Sequence, residues 1–209
     1  MTAQKGKFIT FEGGEGAGKT TQIQLLKDHL QSKGIDVITT REPGGTPGAE
    51  DVRDLLKNGD LSKWDGTAEA LLLYAARHDH VEKIIKPALH KGTWVLCDRF
   101  SDSSLVYQGV ARDLGIEKIT QLHEWALGNF YPDLTFVFDI PPQKSRSRQQ
   151  QRNQQADIPD DRFEQLAIDF HQKVYEGYIS LTKLFPDRCV LIDATKNVHE
   201  VKEQIHNNI

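Results

Sequence analysis

The chain has 209 residues, with 26 Lys and Arg against 30 Asp and Glu, a formal charge of −4 at neutral pH. A chain of 23.7 kDa buries about 70% of its unfolded surface on folding, enough for one core, so a single unit over residues 1–209 is expected. No apolar run approaches the ~20 residues needed to span a bilayer, and the longest, Ala70 to Ala76, stops at Arg77. The chain enters Phe8-Ile9-Thr10-Phe11 with no apolar leader before it, so a cytoplasmic location is expected rather than secretion or a membrane. A pI near 6.1 argues against adhesion to nucleic acid polymers. The two cysteines, Cys97 and Cys189, are too few for a disulfide framework or a zinc site, and both read as small buried hydrophobes.

Strand-like runs alternate with helical patterns along the chain. Lys7 to Phe11 reads as a first strand, followed by a glycine turn and a helix to about Ser32. Ile35–Thr39 reads as the second strand, Thr93–Cys97 as the third, Leu134–Phe138 as the fourth and Cys189–Ile192 as the fifth. Helical patterns cover about Ala49–Lys57 and Thr67–His90, the latter bent or divided near Pro87. Ile116, Ile119, Leu122 and Ala126 recur at helical spacing, and a terminal helix carries Val198, Val201 and Ile205. Five short strands separated by helices predict an α/β fold: a five-stranded parallel sheet with helices on both faces. Such sheets bind ligands beyond the carboxyl ends of their strands, here just after Phe11, Thr39, Cys97 and Phe138. The stretch from Arg146 to Asp161 is rich in Arg and Gln and nearly devoid of apolar residues. It is either a solvated helix end with a surface loop, contributing little to a core, or a mobile lid at about 146–161 carrying Arg148 and Arg152 over a phosphate site.

Gly13-Gly14-Glu15-Gly16-Ala17-Gly18-Lys19-Thr20 fits Gly-x-x-x-x-Gly-Lys-Ser/Thr between a strand and a helix, the context a phosphate-binding loop requires. The glycines let backbone N–H groups converge on phosphate oxygens, with Lys19 at the β- and γ-phosphates and the Thr20 hydroxyl on Mg²⁺. Neither Asn-Lys-x-Asp nor Asp-x-x-Gly occurs, which excludes a small-GTPase switch and leaves small-molecule kinases and ATP-driven machines. Asp98-Arg99 follows the third strand, where the carboxylate can reach Mg²⁺ and the guanidinium can clamp a phosphate; a plain surface ion pair is the bland alternative. Arg77 closes an apolar helical segment, and a buried arginine calls for an anionic or carbonyl-bearing partner, such as a ligand.

Taken with Phe11-Glu12 before the loop, Thr40-Arg41-Glu42-Pro43-Gly44-Gly45-Thr46-Pro47, Tyr74-Ala75-Ala76-Arg77, Asp98-Arg99-Phe100, Ser103-Ser104-Leu105-Val106-Tyr107-Gln108-Gly109 and Asp161-Arg162-Phe163-Glu164, the chain resembles the bacterial thymidylate kinase (dTMP kinase) family from end to end. The resemblance implies a P-loop nucleoside monophosphate kinase fold and transfer of the γ-phosphoryl group of ATP to dTMP, with Mg²⁺, in a homodimer. It implies that Lys19 and the loop from Gly13 to Thr20 hold ATP, with Thr20 and Asp98 toward the metal. Arg53 and Arg99 would hold the acceptor phosphate, with Glu42, Arg77, Ser104 and Gln108 around the base. Tyr107 would crowd the sugar 2′ position, Glu15 would lie near the 3′-hydroxyl and metal, and Glu164 would add an acidic group near the substrate. Arg148 and Arg152 resemble lid arginines acting on the transferring phosphoryl group. One departure stands out. The family's thymine-stacking Phe, four residues before Arg77, is here Leu73, which keeps a kinase for another nucleoside monophosphate in view. A non-catalytic nucleotide-binding scaffold is the remaining alternative.

Overall fold

The computed structural model describes residues 6–156 and 161–209, without the side chains of Arg152 and Ala156. Five strands form one parallel sheet: β1 (Phe8–Glu12), β2 (Val37–Arg41), β3 (Trp94–Asp98), β4 (Leu134–Asp139) and β5 (Cys189–Asp193), in the order β2-β3-β1-β4-β5. The central strand β1 is buried along its whole length, whereas edge strand β2 alternates toward solvent. That contrast explains why β1 reads as a continuous apolar run. The first three strands end one or two residues later than the sequence pattern suggests. Asp98 therefore closes β3, level with Phe11 of β1 and Arg41 of β2.

The period-2 alternation of the strands divides the core. Ile9, Phe11, Leu96, Phe136, Phe138 and Ile192 face α1 (Lys19–Ser32) and α9 (Val198–His206), which contribute Ile23, Leu26, Leu30, Val201 and Ile205. Phe8, Val95, Cys97 and Val137 face the other way. They meet the helices that follow α2 (Pro47–Lys57): α3 (Gly66–His80), α4 (Lys86–His90), α6 (Ile116–Leu127) and α8 (Ile168–Leu184). Cys97 and Cys189 are buried and unpaired.

Three differences from the sequence pattern bear on the site. The break expected near Pro87 begins six residues earlier, as a π-helical turn over Val81–Ile85 in which the Lys86 N–H donates to the Val81 carbonyl, five residues back. Pro87 would drive its ring into the Lys83 carbonyl of a regular helix, and the wider turn removes that clash. The stretch before Asp161 is helical, α7 (Pro142–Ala156), and it does pack: Ser145, Gln149 and Asn153 are buried. Residues 157–160 of the expected lid lie outside the described residues. Finally, α5 (Ser101–Ser104) continues into a second π-helical segment, Leu105–Ala111, which carries Tyr107 and Gln108.

Candidate active site

The loop between β1 and α1 closes over the carboxyl edge of the sheet. Gly18 caps α1 at φ 93° with no side-chain cap, so the first amides of the helix are left for a ligand. Gly16 is at φ 72°, and a Cβ there would lie 2.3 Å from the Ser145 carbonyl oxygen of α7. No other residue fits. Lys19 Nζ donates to the carbonyls of Gly13 (3.2 Å) and Gly14 (3.0 Å) and lies 3.8 Å from Asp98 Oδ1. Burial lowers the Lys19 pKa, helped by the neighbouring Arg99 charge, so a polyanion would be a welcome partner. Thr20 Oγ1 donates to Asp98 Oδ2 at 3.3 Å, while Asp98 Oδ1 is buried and accepts no hydrogen bond. A hydroxyl beside an under-used carboxylate oxygen is a hard-oxygen donor set suited to Mg²⁺. Among the described residues no three His, Cys, Asp or Glu gather into a metal cluster, so an ion here would draw its other ligands from nucleotide phosphates and water.

Arg99 lies directly after β3 at φ 69°, a left-handed conformation that costs a non-glycine residue about 1–3 kcal/mol. Its Nη2 donates to Glu15 Oε1 of the phosphate loop (2.9 Å), and its Nη1 to Ser103 Oγ (3.2 Å) and the Tyr178 hydroxyl (2.9 Å). Its guanidinium also lies 5.3 Å from the Tyr107 ring centroid. Burial would raise the Glu15 pKa, but the Arg99 and Lys19 charges outweigh it and hold the carboxyl well below its ordinary range. The donor loop and the arginine expected on the acceptor phosphate are thus joined by one contact. Arg53 Nη1 donates to the Pro43 carbonyl (2.8 Å) in the loop after β2.

Arg77 is almost fully buried, and groups within the chain already supply the partners that a buried arginine needs. Its Nε donates to Glu42 Oε2 (2.6 Å), Nη1 to Ser104 Oγ (3.0 Å) and Nη2 to the Phe100 carbonyl (3.0 Å). Burial alone would lower the Arg77 pKa; the adjacent Glu42 carboxylate reverses the sign and raises it. The other Glu42 oxygen meets His80 Nδ1 at 3.0 Å, and His80 Nε2 meets Thr40 Oγ1 at 2.7 Å. Both Glu42 carboxylate oxygens are thus engaged within the chain, one by Arg77 and one by His80. Gln108 donates to Glu69 at 3.1 Å and leaves its own Oε1 buried without a partner. Leu73 is half-buried, whereas Tyr74 turns inward, with the Arg77 guanidinium 4.6 Å from its ring centroid.

The arginines expected in the lid are described in part. Arg148 Nη1 donates to the Ala194 carbonyl after β5 at 3.1 Å. Arg146, two residues earlier, lines a cavity with Gly14, Glu15, Gln149 and His171. The Arg152 side chain lies outside the described residues. Glu164 accepts from Asn153 Nδ2 (3.3 Å) and from the Asp161 N–H (3.1 Å), and burial with nearby Asp161 raises its pKa. Arg162 is fully buried and donates to Glu69, Leu56 O and Leu61 O, a structural role.

Two site residues escape the sequence reading. Glu12, the last residue of β1, is fully buried; its Oε1 accepts from the Phe100 N–H (2.7 Å), and its Oε2 from Ser103 Oγ (2.6 Å) and the Tyr178 hydroxyl (2.9 Å). Burial, with Asp102 adding to it, pushes Glu12 up to about 7 against the opposing pull of Arg99, Ser103 and the Phe100 N–H. An acid ending an otherwise apolar central strand was the available signal. Tyr178 comes from α8, a helix the sequence pattern does not announce.

A phosphate-binding loop at the head of a five-stranded parallel sheet, with arginines at the neighbouring strand ends, defines a P-loop protein of the nucleoside monophosphate kinase fold. The thymidylate kinase family model matches residues 11–205. The chain is 47% identical over 201 residues to a thymidylate kinase of Caulobacter vibrioides, covering 96% of this chain and 94% of that one. It is 48% identical over 197 residues to one of Geobacillus sp., covering 94% and 92%. The crystal structure of thymidylate kinase from Ehrlichia chaffeensis superposes with a TM-score of 0.79 at 33% identity, over 98% of each chain. The chain belongs to the thymidylate kinase family.

Proposed function

We propose that this chain carries out the reaction for which its family is named, transferring the γ-phosphoryl group of ATP to dTMP to give dTDP and ADP, a step toward dTTP. The observation that carries this reading is the 2.9 Å contact between Glu15 of the phosphate loop and Arg99 after β3. It brings a donor cradle and an acceptor clamp to one point, and phosphoryl transfer is mainly a matter of bringing two polyanions into line and stabilising the charge between them. The loop amides from Gly13 to Thr20 and Lys19 hold the ATP phosphates. Arg99 and Arg53 hold the acceptor phosphate, and Arg77 with Ser104, Gln108 and Leu73 forms the base pocket. Tyr107, with burial raising its pKa, keeps a neutral ring beside the sugar. Thr20 and Asp98 would hold Mg²⁺, which neutralises phosphate charge when bound. Arginines of α7, among them Arg146, which lines a cavity with Gly14 and Glu15 of the loop, supply further positive charge from a lid over 146–161. Glu164, just after that lid, adds an acidic group near the substrate.

The same reading includes a cytoplasmic enzyme, one domain over 1–209, no nucleic acid polymer as partner, and a homodimer. Among the described residues no helix is long and apolar enough to cross a membrane. Supporting the dimer, Leu71 of α3 and Trp125 of α6 are 55% and 84% exposed on helices that pack together, and large apolar side chains so exposed suit an interface. One observation favours a second reading: Leu73 offers the base an apolar wall without an aromatic face, so another nucleoside monophosphate could compete. ADP release with ATP alone and with dTMP, dUMP, UMP, AMP and CMP in turn tests both. Fastest turnover with dTMP is expected; faster turnover of UMP or AMP overturns the assignment, and none with any acceptor leaves a nucleotide-binding scaffold.

A further inference from the structure

We propose that Glu12 is a positioning residue for the acceptor phosphate, acting on Arg99 through the hydroxyls of Ser103 and Tyr178. The inference rests on the reading of Arg99 as the phosphate clamp. Its ground is the inventory of protons in the cluster. Arg99 Nη1 offers hydrogens to Ser103 Oγ and the Tyr178 hydroxyl, at 3.2 and 2.9 Å. Those two hydroxyls have one hydrogen each, and both lie within 2.9 Å of Glu12 Oε2. With Glu12 ionised, both hydroxyl hydrogens point at the carboxylate and both oxygens present lone pairs to Arg99. Glu12 Oε1 is meanwhile occupied by the Phe100 N–H at 2.7 Å, which fixes the peptide immediately after Arg99. One carboxylate thus holds the strained Arg99 backbone and the side-chain partners that aim its guanidinium. A carboxylate buried at the end of a strand is costly, and here its hydrogen bonds are all spent on groups that lead to Arg99.

A glutamine at this position cannot reproduce the pattern. With its oxygen toward the hydroxyls, its NH₂ faces the Phe100 N–H, donor against donor. Turned over, its NH₂ hydrogens occupy the lone pairs that Arg99 uses. Positioning and mere charge predict opposite signs. Removing a negative charge near an anion site strengthens phosphate binding if only the field matters, whereas losing the alignment of Arg99 weakens it.

The test measures dissociation constants for dTMP and ATP separately by calorimetry at pH 8, above the value of about 7 to which burial pushes Glu12. Wild type, Glu12→Gln, Arg99→Ala and the double variant are compared. Glu12→Gln should weaken dTMP about tenfold, the usual worth of a hydrogen bond to a charged group, and change ATP affinity less than twofold. The double variant should bind dTMP no more weakly than Arg99→Ala alone, because the two act through one contact. Unchanged or tighter dTMP binding in Glu12→Gln overturns the proposal. So does an equal loss of dTMP and ATP affinity, or a loss that persists in the Arg99→Ala background. If Arg99→Ala itself leaves dTMP affinity intact, the clamp reading fails instead, and the proposal falls with it. Should Glu12→Gln not fold, Tyr178→Phe carries the test, since it removes one hydroxyl shared by Glu12 and Arg99. A three- to fivefold loss confined to dTMP is then expected, and no loss overturns the proposal.

Discussion

The buried pair of Arg77 and Glu42 offers a direct measure of what holds the base pocket together. Both side chains are no more than 3% exposed, their closest atoms are 2.6 Å apart, and the remaining partners of Arg77 are a hydroxyl and a carbonyl. Glu42→Gln keeps the shape and one acceptor but removes the carboxylate that pairs with the guanidinium. Breaking a buried ion pair from one side costs about 3–5 kcal/mol, because the charge left behind is uncompensated. With an amide oxygen still able to accept, the lower end applies, about 3 kcal/mol. For a chain of this size each kcal/mol moves Tm by about 2–4 °C, so a fall of about 6–12 °C is expected. Adding Arg77→Met should return part of that loss, since the double variant no longer buries a lone charge. Base recognition does not return, and its dTMP affinity stays low. Thermal unfolding by circular dichroism, with and without dTMP, reads wild type and both variants. If Glu42→Gln melts within about 2 °C of wild type, or the double variant is less stable than Glu42→Gln, the carboxylate is not what stabilises Arg77.

The α7 arginines should separate in kinetics. Arg146→Ala is expected to lower kcat about tenfold with dTMP affinity unchanged, as for a group acting on charge that develops in transfer, while Arg148→Ala, already engaged by Ala194 O, costs less than threefold; the reverse ranking would return the lid role to Arg148. Leu73→Phe should tighten dTMP three- to tenfold, the ~0.5–1.5 kcal/mol worth of an aromatic pair, with kcat nearly constant. A weaker KM would mean the pocket has closed around leucine. Burial, then the Arg77 charge, lowers the His123 pKa to about 4, so its contribution to stability is present above about 6.5 and lost as pH falls from there toward 4. The unfolded chain takes up the proton at the ordinary histidine value, before the folded chain does. A urea-denaturation series over that range should steepen for wild type relative to His123→Gln, and parallel curves would remove His123 as the cause.

Most of the sheet was legible because central parallel strands leave an unambiguous trace. Residues 8–11 and 134–138 are apolar or β-branched on both faces, and each strand is followed by a change of composition. What the pattern hid has local causes. Gly177 sits inside α8 and looks like a breaker, yet a Cβ there would approach Val106 Cγ1 to 3.0 Å. It is a close-packing position, and the helix carrying Tyr178 goes unread for that reason. The two π-helical segments shift the phase of their helices, which a search at 3.6 residues per turn cannot register. In α7 the buried face is made of Ser145, Gln149 and Asn153, so polar residues do the packing and hydropathy is silent about it.

The site obeys the same logic one level up. Groups that would meet the ligand directly announce themselves by residue type and spacing, as the phosphate loop and Asp98-Arg99 do. Groups that act through another side chain do not, because what selects them is a partner far away in sequence. Glu42 needs His80 and Arg77, 38 and 35 residues later, before its carboxylate has a purpose. Glu12 needs Ser103 and Tyr178, 91 and 166 residues later. Each of these acids is the residue next to a glycine- or proline-led turn, where residue type and spacing suggest only a strand end; Glu42 is named at the site only through the family resemblance. The crossover order β2-β3-β1 sets the ends of those three strands side by side. Glu12, closing β1, and Glu42, just past β2, then lie on either side of the chain as it leaves β3 through Arg99 and Phe100. Parallel topology thus converts distant strand ends into one charge-balanced edge, and the arginines there remain aimed because the acids beneath them are buried.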